Sequence, residues 1–226
     1  RRDQPEAAGP RGFHSRCRCT WAIHRARRGG GYSGSDASKK LGALLHVGQD
    51  EFDAGKVAGE ALKKAGGKKG ICVNQEVGNV SLDQRCAGFK EGFGDVKVLP
   101  TSADPAENES KVRAALASDP AVDTILTLNA TLAGEPAVKA AAESGRSGIH
   151  IATFDMSAGF LEAVEKGQAG FAIDQQQFLQ GYLPVSFLAL NAKYGLMPGG
   201  NVPSGPNLIT KDKAKQVVEL SAKGIR

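Results

Sequence analysis

From residue 45 onward, short runs rich in Val, Ile, Leu and Phe alternate with longer Ala-rich segments whose apolar positions recur every three or four residues. The runs 45–48, 70–74, 96–99, 124–128, 149–154 and 170–173 read as strands. The segments 52–65, 81–93, 105–117, 132–144 and 158–166 read as helices. Glycine or proline stands near most junctions, as at Gly66, Gly67, Pro100, Pro120, Gly145 and Gly167. Pro136 falls near a helix start, where its missing N–H costs least. Strand-to-strand spacing of about 25 residues suits βαβ units. The pattern therefore predicts an α/β fold, a parallel sheet sandwiched by helices.

Open parallel sheets bind ligands beyond the carboxyl ends of their strands. The residues that follow the strand runs there are polar: Gln49 and Asp50; Asn74, Gln75 and Glu76; Asn129; Asp155; and Asp174 to Gln177. Taken singly, each is equally well explained as the cap of the next helix. As a set, with Arg85 on an intervening helix, they offer the paired donors and acceptors that the hydroxyls of a neutral polyol require.

Charge divides the chain in two. Residues 1–31 hold eight Arg, no Lys and two acids, a net +6, whereas residues 32–226 hold 21 basic and 22 acidic residues, a net −1. The body thus gives no electrostatic case for nucleic acid. Residues 1–31 lack helical or strand periodicity and have little to bury. They fit a basic arm, a targeting segment or a non-native stretch. The last is favoured, because no apolar signal core is present and GC-rich codons spell Arg, Gly, Ala and Pro in any frame. His14, Cys17, Cys19 and His24 are ligand-type side chains, but the C-x-C spacing and absent scaffold argue against a metal site.

Enzyme signatures are missing: there is no G-x-S-x-G, no G-x-x-x-x-G-K-[ST], no H-E-x-x-H and no G-x-G-x-x-G after a strand. The chain reads as a non-enzyme without a cofactor. His46 and His150, flanked by apolar residues, are expected to be buried structural histidines. Cys72 falls in a strand and Cys86 in a helix. They read as small buried hydrophobes, and whether they pair is left open by sequence.

Five stretches carry a family resemblance: SGSDASKKLGALLHVGQDEFDAGKVAGEAL, CVNQEVGNVSLDQRCAGFKEGF, ILTLNATLAGEPAVKAA, IHIATFDMSAGFLEAVEKGQAGFAIDQQQFLQGY and GPNLITKDKAKQVVEL. With these, residues 32–226 resemble the C-terminal part of type 1 periplasmic sugar-binding proteins, the ribose- and galactose-binding group of ABC importers. The resemblance implies two α/β lobes joined by three crossings, with sugar between them. HVGQDE would be the first crossing, DQQQFLQGY the return and GPNLIT the third. Residues 32–49 and 176–206 would be the remnant of the first lobe, and 50–175 with 207–226 the second. The implied ligand residues are Arg85, Asn129, Asp155 and Gln175, with Glu76 and Asn79 as weaker members.

The resemblance further implies a periplasmic substrate-binding protein that delivers a monosaccharide or related polyol to a membrane permease. The family's upstream lobe is not recognisable in residues 1–31. The expectation is therefore a truncated protein with weak or absent binding, no signal peptide, and an uncovered lobe surface prone to self-association. The alternative is a sugar-sensing domain of a transcription regulator, disfavoured because residues 1–31 hold no helix-turn-helix pattern.

Overall fold

A computed structural model of the chain describes Ser38 and residues 42–223. The basic segment 1–31 and its ligand-type residues lie outside the described residues. The elements run β1 (Val47–Gly48), α1 (Glu51–Lys64), β2 (Gly70–Asn74), α2 (Val80–Phe93), β3 (Val96–Pro100), α3 (Pro105–Ser118), β4 (Thr124–Thr127), a π-helical turn (Ala130–Gly134), α4 (Glu135–Glu143), β5 (His150–Phe154), α5 (Ala158–Glu165), β6 (Phe171–Asp174), α6 (Gln177–Tyr194), β7 (Val202–Pro203), β8 (Asn207–Thr210) and α7 (Lys211–Ala222).

Six strands form one sheet in the order β3-β2-β4-β5-β6-β8. All neighbouring pairs are parallel except β6–β8, which is antiparallel. β1 and β7 pair separately and in parallel. The central parallel strands β2, β4, β5 and β6 are buried on both faces and mostly apolar, as cover by two helix layers requires. On one face Ile71, Val73, Ile125, Ile151 and Ala172 pack under α3, α4, α5 and α7. On the other, Cys72, Leu126, Ala152, Phe154 and Ile173 pack under α1 and α2. This bears out the expected helix-sandwiched sheet.

α1 and α2 approach closely because glycine lines both. A Cβ on Gly55 would overlap the main-chain carbonyl of Arg85, and one on Gly88 would overlap that of Phe52. Gly59 and Gly92 repeat the relationship one turn on. Cys72 in β2 and Cys86 in α2 form a disulfide with their Cα atoms 5.7 Å apart, which answers the open question of pairing. The helix is thus held to its neighbour helix by glycine contacts and to the sheet by a covalent bond.

At its β3 edge the sheet ends on exposed Lys97 and Pro100. Pro100 has no N–H to offer, and its carbonyl accepts from Lys111 Nζ at 3.0 Å.

Several expectations are corrected. Residues 132–144 are not one α-helix: a π-helical turn precedes α4, with Gly134 N–H donating to the Asn129 carbonyl five residues back. β8 breaks the all-parallel pattern. His46 and His150 are half-buried rather than buried. His46 Nδ1 lies 3.4 Å from Ser38 Oγ, and its main-chain N–H donates to Asn201.

Candidate functional site

The sheet order places the chain reversal between β2 and β4, since the chain passes outward to β3 and returns to the far side of β2. In open α/β sheets such a point leaves a crevice beyond the strand ends. The polar residues gather at that rim, and α1 and α2 bring in two charged groups from the side.

Arg85 and Glu51 form the buried centre. Both are under 10% exposed, at 5% and 7%. Arg85 Nε donates to Glu51 Oε2 at 2.6 Å, and Gln49 Nε2 donates to the same oxygen at 3.0 Å. The Arg85 guanidinium carbon lies 4.4 Å from the centroid of the Phe154 ring, a cation–π contact in an apolar setting. The terminal amino groups of Arg85 have no hydrogen-bond partner among the described residues. Gln49 Oε1 is sealed from solvent and likewise unpartnered.

Asp155 follows β5 in a left-handed backbone conformation, φ 63°. Its Oδ1 accepts from Gln175 Nε2 at 2.5 Å and from Gln177 Nε2 at 2.8 Å. Burial pushes the Asp155 carboxyl pKa upward; the Arg85 charge and the Gln175 hydrogen bond oppose this, while Glu51 and Asp174 add to the rise. Asp174, fully buried at the end of β6, accepts from Gln176 N–H at 2.7 Å.

Of the expected ligand residues, the structure therefore joins Arg85, Asp155 and Gln175 into one electrostatic and hydrogen-bonded group. Asn129 stands at the end of β4, where its Oδ1 caps the π-helical turn through Leu132 N–H at 2.8 Å. Its amide nitrogen has no partner among the described residues. Asn79 is used up locally: it caps α2 through Ser81 N–H and donates to Glu76 Oε2 at 3.0 Å. Glu76 is exposed. Neither has a hydrogen bond to the Arg85–Asp155 group; Asn79 serves as the cap of α2 and Glu76 as its side-chain partner.

Glu51 was missed by the sequence reading, yet a signal existed. It shares a helix face with Ala54, Ala58 and Leu62, all buried. An acid on an apolar face needs a partner, because an unpaired buried charge is costly.

Three stretches that the resemblance makes lobe crossings lie side by side. Ser204 N–H donates to the Gly48 carbonyl at 3.1 Å. Ser204 Oγ donates to the Gln175 carbonyl at 2.7 Å, and Gln176 Nε2 to the Ser204 carbonyl at 2.7 Å. Asn207 Nδ2 donates to the Asp174 carbonyl at 3.2 Å. Among the described residues, no group of three or more His, Cys, Asp or Glu side chains is arranged to hold a metal ion. No described helix is long and apolar enough to cross a membrane.

Residues 34–195 match the family described as periplasmic binding protein domain. A carbohydrate transporter from Acidothermus cellulolyticus 11B, solved in complex with myo-inositol, is 35% identical with a TM-score of 0.78. That alignment covers 86% of this chain and 68% of that one. An ABC transporter solute-binding protein from Burkholderia graminis C4D1M, in complex with D-arabinose, is 25% identical with a TM-score of 0.68, covering 79% and 65%. A periplasmic ribose ABC transporter from Conexibacter woesei DSM 14684 shares the fold at 19% identity and a TM-score of 0.68, covering 81% of this chain and 65% of that one. No curated protein matches. This chain belongs to the periplasmic binding protein domain family, and its relatives are type 1 sugar-binding components of ABC transporters. It spans about two thirds of the length of these solved relatives.

Proposed function

We propose that the chain is a substrate-binding protein of an ABC transporter that takes up a monosaccharide or related polyol in the periplasm and hands it to a membrane permease. It makes and breaks no bond. The observation that carries this reading is the grouping of Arg85, Asp155 and Gln175 at the carboxyl rim of the sheet. The guanidinium supplies donors, the carboxylate acceptors, and the amides of Gln175 and Asn129 both. Vicinal hydroxyls, which donate and accept at once, fit that mixture. Arg85, Asn129, Asp155 and Gln175 are the proposed ligand residues, with Glu76 and Asn79 at the periphery.

We assign the second lobe to 50–175 and 207–226, and first-lobe material to 32–49 and 176–206. Support comes from the separate pairing of β1 with β7 and the bonded set at Gly48, Gln175 and Ser204. Ligand would shift the balance between open and closed lobe arrangements by its greater affinity for the closed one. The exposed apolar side chains of α6, Phe178, Tyr182 and Val185 among them, make self-association the expected behaviour of the chain at high concentration.

The test is isothermal calorimetry of the full chain with myo-inositol, D-arabinose, D-ribose and D-allose. Weak but saturable 1:1 binding of at least one, as suits a chain missing part of its first lobe, and a further loss in Arg85→Lys, are expected. Absence of binding to all four would overturn the reading.

A further inference from the structure

We propose that Glu51 is a positioning and charge-setting residue of this site: it fixes Arg85 by its Nε and biases the site toward neutral polyols over sugar acids. The specificity half rests on the binding function proposed above. The positioning half stands on geometry alone.

Glu51 takes the Arg85 Nε at 2.6 Å while Gln49 holds the same carboxylate oxygen at 3.0 Å. With Nε engaged and the guanidinium lying over Phe154, rotation of the planar group is blocked from two sides. Its terminal amino groups are left without a hydrogen-bond partner among the described residues. A guanidinium with five donors in a fixed fork is then presented on its outer edge, the edge that can bind two adjacent oxygens at once. The glycine contact between α1 and α2 makes this possible. Gly55, one turn after Glu51, lies against the Arg85 main-chain carbonyl, so the two charged side chains start from backbones almost in touch.

The charge balance carries the second half. One cation, Arg85, meets Glu51 by direct contact and acts on the charge of Asp155, while Asp174 and Glu51 add like charge around Asp155. A lone Arg at a sheet rim would attract carboxylates and phosphates. Here its charge is already matched, and a sugar acid would add a further anion to a group holding an excess of them. Like charges brought together in a desolvated site are strongly discriminated against. A neutral polyol meets the same donors without that repulsion.

The experiment compares the wild-type chain with Glu51→Gln, which keeps the shape and an acceptor oxygen. Two readouts are taken. Calorimetry with myo-inositol and with glucuronate gives the neutral-to-acid affinity ratio. Nitrogen-15 NMR reads the Arg85 Nε–H, assigned by its loss in Arg85→Lys, with the backbone amide spectrum as the check on folding. The wild type is expected to favour myo-inositol, and Glu51→Gln to reduce the ratio by about tenfold or more. The Arg85 Nε–H is expected to exchange slowly in the wild type and rapidly in Glu51→Gln. An unchanged ratio, with both affinities lowered together, would mean a merely structural residue and overturn the specificity half. If the wild type binds neither compound, the specificity half fails, the four-sugar titration decides the proposed function separately, and the NMR still decides the positioning half. A Nε–H that exchanges rapidly in the wild type, or equally slowly in Glu51→Gln, would overturn it. Should Glu51→Gln lose its folded amide spectrum, Glu51→Asp replaces it: the shorter acid keeps the charge but cannot keep the 2.6 Å contact, so faster Nε–H exchange with an unchanged ratio is expected.

Discussion

Gly88 of α2 lies directly against the main-chain carbonyl of Phe52 in α1, with no room for a methyl group between them. Gly88→Ala must push the helices apart or distort one of them, and overpacking of this kind costs about 1–3 kcal/mol. Urea unfolding measures it directly. Gly181→Ala is the contrasting case. It sits inside α6 with no atom near the added Cβ, so relief of glycine's entropy cost should stabilise by about 0.5–1 kcal/mol. Equal effects of the two changes would contradict the proposed close packing.

The disulfide closes a sequence separation of 14 residues. For a loop of that size the loss of unfolded-state freedom contributes about 3 kcal/mol. Replacing both cysteines by Ala should lower stability by that order, and a reducing agent should lower the wild-type melting temperature without affecting the double variant. Identical melting with and without reductant would show the bond absent in solution.

Asp155 sets a dependence on pH whose direction is fixed by its environment. Burial raises its pKa, so the folded chain holds the proton more tightly than the unfolded chain does. Its contribution to stability is therefore fully present below the ordinary carboxylate pKa of about 3.9. It is lost as pH rises through the higher folded value. Asp155→Asn keeps an acceptor for Gln175 and Gln177, and Asn tolerates the left-handed backbone at this position. The variant should melt higher than the wild type at neutral pH, and the gap should close in acid. Thermal unfolding across that range checks it; a gap that widens in acid would reverse the assignment.

Along α6, Phe178, Tyr182, Val185, Leu190 and Tyr194 are each between 41% and 60% exposed, and the rings of Phe178 and Tyr182 stack 5.9 Å apart. Such a set of exposed apolar side chains should bind an apolar dye and make the chain scatter light increasingly with concentration. Tyr182→Lys with Val185→Lys should reduce both signals while leaving the circular dichroism spectrum intact. Unchanged scattering would place the association elsewhere.

Much of the sheet was legible because its strands are dense in apolar residues and bounded by glycine and proline. The run 70–74 was expected at the bounds where β2 is found. α6 was not assigned from its pattern. Its sequence, QFLQGYLPVSFLALNAKY, is apolar on nearly every side and contains Gly181 and Pro184, so no period stands out. The π-helical turn depends on two main-chain hydrogen bonds that reach five residues back, from Gly134 to Asn129 and from Glu135 to Ala130, which no side-chain pattern announces. In the site, Asp155 and Gln175 are legible from their places after strands and from the resemblance, and Arg85, inside α2, from the resemblance and its place on an intervening helix. Glu51 is different: its partner is 34 residues away, and only a reading of the buried face of α1 would have raised the question of what pairs with it.

The β3 edge has a consequence for how the protein would fail. Another chain joining there as a strand would meet Lys97 in its path, a proline with no hydrogen to give, and a carbonyl already held by Lys111. That edge is a poor template for fibril growth. Clumping through the side chains of α6 would instead be amorphous and reversible by dilution, open to correction by one or two surface charges.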